Sequence, residues 1–206
     1  MRRAIEAPTD TRVTTKCLQG ALGAACIAAA VGLADKPPQP ACGVDRWPVK
    51  VLADVDAGRI DPSPVESSVA DLGQLSIPEL AYPVDRRIPP HELRVYRVRA
   101  VVERILTESD CDWHLVLRDP DAPTASMIAE IRSPDCAANG VDSARFSAAG
   151  DSLRRVPRLG VVYIEGVAFW DYIHNQRGRA RNGIELHPVL RLSRSPAAHP
   201  QLNTAH

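Results

Sequence analysis

The chain has 206 residues, of which 24% are charged and 45% are hydrophobic, a composition typical of a globular protein. Its 25 basic and 25 acidic residues cancel, and this balance argues against a general nucleic-acid binder, which is strongly basic. The length suits one domain with appendages. The motifs GxSxG, HExxH, GxGxxG and the P-loop are absent from the sequence, which excludes the best-known catalytic signatures.

Residues 1–34 are predicted to be a secretory signal. Four basic side chains precede an uncharged, Ala- and Gly-rich run over residues 17–34, and a basic start before an apolar run describes an export signal. The run is also long enough to act as a retained membrane anchor. We favour cleavage because the run is only weakly hydrophobic; 21 basic and 23 acidic residues then remain. The expected location is therefore extracellular, periplasmic or in the cell envelope, with no other integral membrane segment.

Residues 35–41 form a predicted Pro-rich tether, and residues 42–92 form a predicted irregular segment, the wrap, that covers the following domain. Within the wrap, apolar residues at helical spacing predict a short helix over residues 65–75, with Ser63 as its N-cap. The apolar side chains of the first part of the wrap are expected to pack against the barrel. They are Trp47, Val49, Val51 and Leu52.

Residues 93–192 are predicted to form a small, mainly β domain, a five-stranded barrel of the OB type with one helix between strands three and four. Alternating sequence rich in β-branched residues predicts strands over residues 94–106, 112–118, 126–131, 161–170 and 184–192. The strand order is that of an OB-fold, and another small barrel or a sandwich is the alternative.

Three further features complete the predicted barrel. Asp142 or Ser143 can cap the helix, which is expected to run to about Arg155. Gly166 marks a bulge or bend in the fourth strand. Residues 193–206, rich in Ser, Pro, Ala and His, are predicted to be a disordered tail.

The chain contains five cysteines, two of which leave with the predicted signal. In an oxidising compartment, the remaining three favour one disulfide and one spare thiol. We expect the disulfide to join Cys42 to Cys136, because both lie in irregular segments flanked by proline, and Cys111 to be the spare thiol. Zinc binding by the three cysteines is the weaker alternative, because the sequence has no CxxC pair.

Three predicted strands carry ionisable side chains where a strand usually has none. Because successive side chains point to opposite faces, Asp112 lies beside His114, and Glu185 beside His187, with the intervening apolar residues turned inward. Glu130 is expected on the outer face of the third strand. These five residues, the His/carboxylate cluster, could hold Zn²⁺ or Mn²⁺, whose bound water could act as a hydrolytic nucleophile. The alternative is a set of cross-strand hydrogen bonds that fix the strand register under the wrap.

The loop between the fourth and fifth strands is a candidate anion-binding site. Its basic part, residues 176–181, contains Arg177, Arg179 and Arg181, and Trp170 and Tyr172 precede it. In OB-folds this loop is one wall of the ligand groove. Cations beside aromatic rings are the combination that binds single-stranded nucleic acid. The alternative is an ordinary solvated loop, since charge runs usually serve solubility.

Several blocks of the sequence resemble an uncharacterised family of secreted bacterial proteins, which carry the same blocks in the same order. The blocks are residues 42–50, 112–117, 127–131, 134–136, 166–171 and 182–190, the last of which reads NGIELHPVL. The resemblance implies export and one β-rich domain, and no established activity. This chain departs from the family in its basic loop, where the relatives are neutral, so any function of that loop belongs to this protein alone.

The sequence therefore predicts an exported, monomeric binding or structural module of the cell envelope or exterior, rather than an enzyme. The expected partner is a polyanion, an oligosaccharide or another envelope component, contacted by the loop between strands four and five. The alternative is a metal-dependent hydrolase, similar to a nuclease or phosphoesterase, that uses the His/carboxylate cluster. A divalent metal is accordingly the one cofactor for which the sequence offers candidate ligands.

Overall fold

The structure is a computed structural model, and it describes only part of the chain. The described residues are 45–79, 82–83, 85–107, 112–133, 143–155, 160–173 and 176–195. Outside these ranges lie the predicted signal, the tether and residues 196–206 of the predicted tail. The predicted disulfide between Cys42 and Cys136, and the spare Cys111, also lie outside them. Within the ranges, every helix is too short or too polar to cross a membrane.

Strands dominate the described residues. The strands are β1 (Asp61–Ser67), β2 (Arg94–Thr107), β3 (Trp113–Arg118), β4 (Ser126–Ile131), β5 (Val161–Trp170) and β6 (Ile184–Ser193). The α-helices are α1 (Trp47–Lys50), α2 (Val69–Leu72) and α3 (Ser143–Arg155). Two 3₁₀ turns cover Ala57–Arg59 and His91–Leu93.

Strands β2 to β6 close into a five-stranded barrel. Neighbours follow the order β2-β3-β4-β6-β5, and β5 pairs back to β2. The β4–β6 pair is parallel and the other neighbouring pairs are antiparallel. The 14-residue β2 pairs with both β3 and β5, as the first strand of an OB barrel does. The predicted fold class is confirmed, and each barrel strand ends within one residue of its predicted bounds.

The hydrophobic core fills the barrel with alternate side chains of its strands. Strand β2 buries four alternate side chains in the core, namely Tyr96, Val98, Ala100 and Val102. Strands β3 and β6 add Leu115, Leu117, Ile184 and Leu186. The helix α3 packs against β6 and β4, and its Phe146 and Leu153 are buried. The period-two pattern of the sequence thus separates the core face from the outer face correctly.

The wrap is more regular than predicted. Residues 61–67 form β1, which pairs in parallel with β2, so the helix predicted over residues 65–75 with Ser63 as its N-cap is wrong. The helix there is the short α2, and Ser68 caps it by accepting a hydrogen bond of 2.9 Å from the backbone N–H of Asp71. The helical spacing of Val69 and Leu72 is real, but prolines at 62 and 64 favour extended backbone before it.

A buried ion pair fastens the wrap to the barrel. Arg46 contacts both carboxylate oxygens of Glu92 at 2.7 and 2.8 Å, and the two side chains are 1% and 0% exposed. The guanidinium also donates to three backbone carbonyls, those of Pro83, Arg86 and Trp170. Glu92 also accepts hydrogen bonds from two backbone N–H groups, those of Ile88 and Trp170. Because Trp170 ends β5, this one network joins both ends of the wrap, at Arg46 and Glu92, to a barrel strand.

A second buried pair lies beside the first. Arg87 contacts Asp54 at 2.8 Å, with both side chains fully buried, and donates to the backbone carbonyl of Val49 in α1 at 2.8 Å. Val49 is itself completely buried, as expected for the apolar residues of the wrap. The position of α1 is therefore held by side chains from the end of the wrap, about 40 residues further along the chain.

We predict that Glu92→Gln destabilises the protein by about 3–5 kcal/mol, because it leaves the Arg46 guanidinium buried without a counter-charge. The matched control is Asp121→Asn, which breaks an exposed pair with Arg99 whose side chains are 84% and 44% exposed. That change should cost less than about 1 kcal/mol. Urea unfolding measures both values. An equal loss of stability in the two variants would contradict the role of the buried pair.

Candidate functional site

The His/carboxylate cluster assembles on the outer face of β3, β4 and β6. His114 and Glu130 are direct partners in the antiparallel β3–β4 pair. In the parallel β4–β6 pair, Ile128 lies opposite Glu185, and this register brings Glu130 to the level of His187. Three adjacent strands thus place one imidazole on each side of a carboxylate.

A bulge in β6 lies opposite Gly166, directly after Leu186. Gly166 pairs with Val189 whereas Ala168 pairs with Leu186, so β6 has one residue more than β5 in this interval. Leu186 and Val189 both reach the core, and His187 between them is turned to the outer face. The sequence predicted a bulge or bend in the fourth strand, at Gly166, but the extra residue lies on the partner strand β6.

Glu130 bridges the two imidazoles. Its Oε1 lies 3.1 Å from Nδ1 of His114, and its Oε2 lies 2.9 Å from Nδ1 of His187. The second contact is close, but its angle is not that of a hydrogen bond, so we describe it as an electrostatic contact. His187 is completely buried, and its Nε2 has no hydrogen-bond partner among the described residues.

Asp112, the residue before β3, lies close to Glu130 and His187. It forms an ion pair with the buried Arg132 and accepts a hydrogen bond of 2.8 Å from the backbone N–H of Ser133. Donor atoms of Asp112, Glu130 and His187 all lie within 4.8 Å of one another. Asp112, His114, Glu130 and His187 therefore lie close together, and three of them are close enough to share one ion.

Glu185 is a further carboxylate on the face of β6 that carries His187. It is almost completely buried, and it makes no hydrogen bond or ion pair with the rest of the described chain. Its neighbour across the β5–β6 pair is Phe169, whose ring packs 5.4 Å from that of His187 and 5.5 Å from Nζ of Lys50. The wall next to Glu185 is thus apolar and aromatic.

The environment separates the proton affinities of these groups. Burial lowers the pKa of His187 to about 4, against the attraction of Glu130. Burial alone would raise the pKa of Glu130, but the attraction of His187 and the hydrogen bond with His114 take this pKa well below its ordinary value. Burial, followed by repulsion from Glu130 and Asp171, raises the pKa of Glu185 well above its ordinary value. At neutral pH, the cluster therefore holds an ionised Glu130 beside a neutral His187.

The cluster is covered by the wrap. The Arg132 guanidinium lies 4.2 Å from the centre of the Trp47 ring, and Lys50 reaches the ring of Phe169, so both ends of α1 contact this face. All five cluster residues are between 0% and 9% exposed. A hydrolase must bring its nucleophile to a substrate, so this burial argues against hydrolysis at the cluster.

The basic loop folds back onto β3. Gly178 has φ +87°, and a Cβ at this position would come within 2.3 Å of Cγ1 of Val116. Only glycine permits this backbone conformation and this approach at low cost. At the start of the loop, Nε2 of Gln176 lies 3.3 Å from Nδ1 of His114. The loop therefore rests on the outer face of β3, next to the cluster.

A cleft of about 580 Å³ opens on one side of the loop. Arg179 and Arg181 line it, together with residues of α2 and of the segment between β3 and β4. Its polar lining includes Gln74, Thr124 and Ser126. No acidic side chain occurs among the described residues that line it, so the charge of this cleft is positive.

A smaller cleft of about 220 Å³ opens on the other side. Three arginines line it, namely Arg104, Arg118 and Arg177. Glu103 is the acidic residue in its described lining and is paired with Arg118. Ser126 lines both clefts, which are therefore neighbours.

The aromatic residues of the predicted anion-binding loop lie elsewhere. Trp170 is 1% exposed and belongs to the barrel core, so the predicted pairing of its ring with the arginines is wrong. Tyr172 is 47% exposed, but it packs 5.2 Å from the ring of Tyr82 and lines neither cleft. Strand alternation already gave the correct face, because Trp170 has the same parity in β5 as the core residues Ile164 and Ala168.

Sequence reasoning missed two sets of residues. Arg104 and Arg118 sit on β2 and β3, where they look like ordinary strand-surface residues, and no local signal connects them to the basic loop. Arg132 carried a signal, because it lies two residues after Glu130 and so continues the same face of the chain.

Comparisons with known proteins add no information about these sites. The chain matches no protein-family model and no curated protein. Among solved structures, a protein of Leishmania major Friedlin named as an aspartyl-tRNA synthetase aligns with 68% of this chain, at 17% identity and a TM-score of 0.40. The match covers 23% of that protein. A likeness this low carries no argument about function, and the resemblance to a secreted bacterial family stays a prediction.

We predict that Gly178→Ala destabilises the protein by roughly 1–3 kcal/mol, because the new Cβ overlaps Val116 and the backbone is strained. The control is a double-mutant cycle with Val116→Ala, which removes the methyl groups that the new Cβ meets. Urea unfolding of the four proteins should show that the double variant is more stable than the sum of the single changes implies. Strict additivity would contradict the seating of the loop on β3.

Proposed function

We propose that the protein is a binding module for acidic polymers. The arginine face, made of Arg104, Arg118, Arg177, Arg179 and Arg181, is its ligand-binding surface. The observation that carries the proposal is that the basic loop is fixed on β3 with its three arginines lining two adjoining clefts. None of these three arginines forms an ion pair with a described carboxylate, so their charges are available to a ligand.

The local charge supports an anionic ligand. Five guanidinium groups line the two clefts against one carboxylate, that of Glu103, in a chain whose formal net charge is zero. Guanidinium presents several N–H donors in a plane that matches carboxylate, sulfate and phosphate groups. A concentration of one charge in clefts raises the local concentration of the opposite ion.

The layout supports a polymer over a small anion. The cations are divided between two clefts that meet at Ser126, so a chain with repeated negative groups can engage both at once. No aromatic ring lies in the described lining of either cleft, and base stacking is therefore not available to a nucleic acid there. We accordingly favour acidic polysaccharides and polyphosphates, which are recognised by charge alone.

The expected location fits this ligand class. If residues 1–34 direct export, as their basic start and apolar run predict, the acidic polymers within reach are those of the cell envelope and the exterior. The proposal thus refines the sequence-based expectation of an envelope binding module: the arginines are retained, and the aromatic contribution of Trp170 is removed. The hydrolase alternative receives no support, because the His/carboxylate cluster is covered.

The test is binding to inorganic polyphosphate and to heparin, two polyanions without bases. We expect binding that weakens steeply with salt, because each contact releases counterions. The variant R177Q/R179Q/R181Q should bind at least about tenfold more weakly. The slope of log K against log salt concentration should be smaller in magnitude by roughly two to three, because about that many charge contacts are lost.

The matched control is R94Q/R155Q/R194Q, which removes the same charge from exposed arginines that line neither cleft. This variant should bind like the wild-type protein. Equal losses in the two triple variants would mean that net charge, and not the arginine face, holds the ligand. Absence of wild-type binding to either polyanion at low salt would overturn the proposal.

A further inference from the structure

We infer that Asp112, Glu130 and His187 form a structural site for one divalent transition-metal ion, Zn²⁺ being the best fit, in the wall of the barrel beneath α1. This site is separate from the arginine face and does not depend on the proposed function. It would bind together β4, β6 and the residue that precedes β3.

The spacing of the donor atoms fits one ion. The three side chains offer one imidazole nitrogen and two carboxylate oxygens, which lie within 4.8 Å of one another. Zinc–ligand distances are about 2.0–2.2 Å and structural zinc is tetrahedral, so two ligands of one ion are about 3.4 Å apart. The most widely separated donors therefore need to approach each other by up to about 1.4 Å, which requires rotation of the side chains.

His187 supplies the observation that points to a ligand. Its ring is completely buried, yet Nε2 has no hydrogen-bond partner among the described residues, and Nδ1 has only a misaligned contact with Glu130. A buried polar atom left without a partner costs about 1–3 kcal/mol. Coordination through its lone pair gives one of these two ring nitrogens a partner, and imidazole with carboxylate is a donor set that suits Zn²⁺.

The surroundings hold the two carboxylates in place. The backbone N–H of Ser133 binds Oδ1 of Asp112, and His114 lies 3.1 Å from Oε1 of Glu130. Such outer contacts orient the ligands of metal sites. Asp112 and Glu130 bring two negative charges to this position, where Asp112 also pairs with Arg132 and Glu130 lies against His187.

The role of this ion is structural. Catalytic zinc keeps an open coordination position that a substrate can reach. Here the cluster residues are at most 9% exposed, and Trp47 and Lys50 contact the same face. A bound ion therefore stabilises the barrel and the docking of the wrap, and the covered site offers no room for a substrate.

The test is metal binding by the purified full chain after removal of metal with a chelator. Plasma mass spectrometry should find about one Zn²⁺ per chain after reconstitution and dialysis, and thermal unfolding should shift upward with Zn²⁺ because the ion binds only the folded state. His187→Gln and the isosteric Glu130→Gln should each weaken binding by at least the roughly 10–100-fold that loss of an outer-shell partner costs. The control His91→Gln removes a histidine that contacts Tyr96 instead, and should bind like the wild type.

Cobalt substitution of the wild-type protein tests the ligands without any mutation. Co²⁺ held by nitrogen and oxygen gives visible bands without the charge-transfer absorption of a thiolate, which separates this site from one made by the cysteines. The inference fails if the folded protein takes up no Zn²⁺ or Co²⁺ from an excess, if the cobalt spectrum shows thiolate ligands, or if folded Glu130→Gln binds as tightly as the wild type.

Discussion

The buried ion pair between Arg46 and Glu92 is the interaction on which the rest of this structure depends. It joins the two ends of the wrap, and its hydrogen bonds reach both the N–H and the carbonyl of Trp170 at the end of β5. Two charges removed from water require this density of partners, since desolvation would otherwise exceed their attraction. Because the pair fixes the start of α1, Trp47 and Lys50 cover strand residues that an open barrel would expose to solvent.

This cover divides the outer surface of the barrel into two parts with different chemistry. Under α1, the residues of the His/carboxylate cluster are buried and lie close together, an arrangement suited to holding the barrel wall together. Beyond it, the arginine face lines open clefts and is suited to a ligand. The two parts meet where Gln176 approaches His114, so the start of the basic loop rests on the braced wall. A rigid wall under a charged loop is the arrangement that positions binding residues on loops.

The sequence predicted the barrel well because strand alternation is local: a residue's face follows from its parity, as for His114 and Glu130. It could not predict that Glu130 and His187 meet, because β4 and β6 are parallel and more than 50 residues apart. A cluster under the wrap was one of its two alternatives, but the pair that holds the cover, Arg46 and Glu92, is 46 residues apart in sequence and has no local signal. The predicted helix at 65–75 failed because two prolines outweighed a helical spacing of apolar residues.

The central claim is that an acidic polymer binds the open arginine face and leaves the covered cluster untouched. The most direct measurement is an NMR titration with polyphosphate that follows the arginine Nε–Hε and histidine ring signals. The account predicts shifts for Arg177, Arg179 and Arg181, with the signals of His187 unchanged. Shifts concentrated at His187, or spread equally over arginines outside the two clefts, would contradict it.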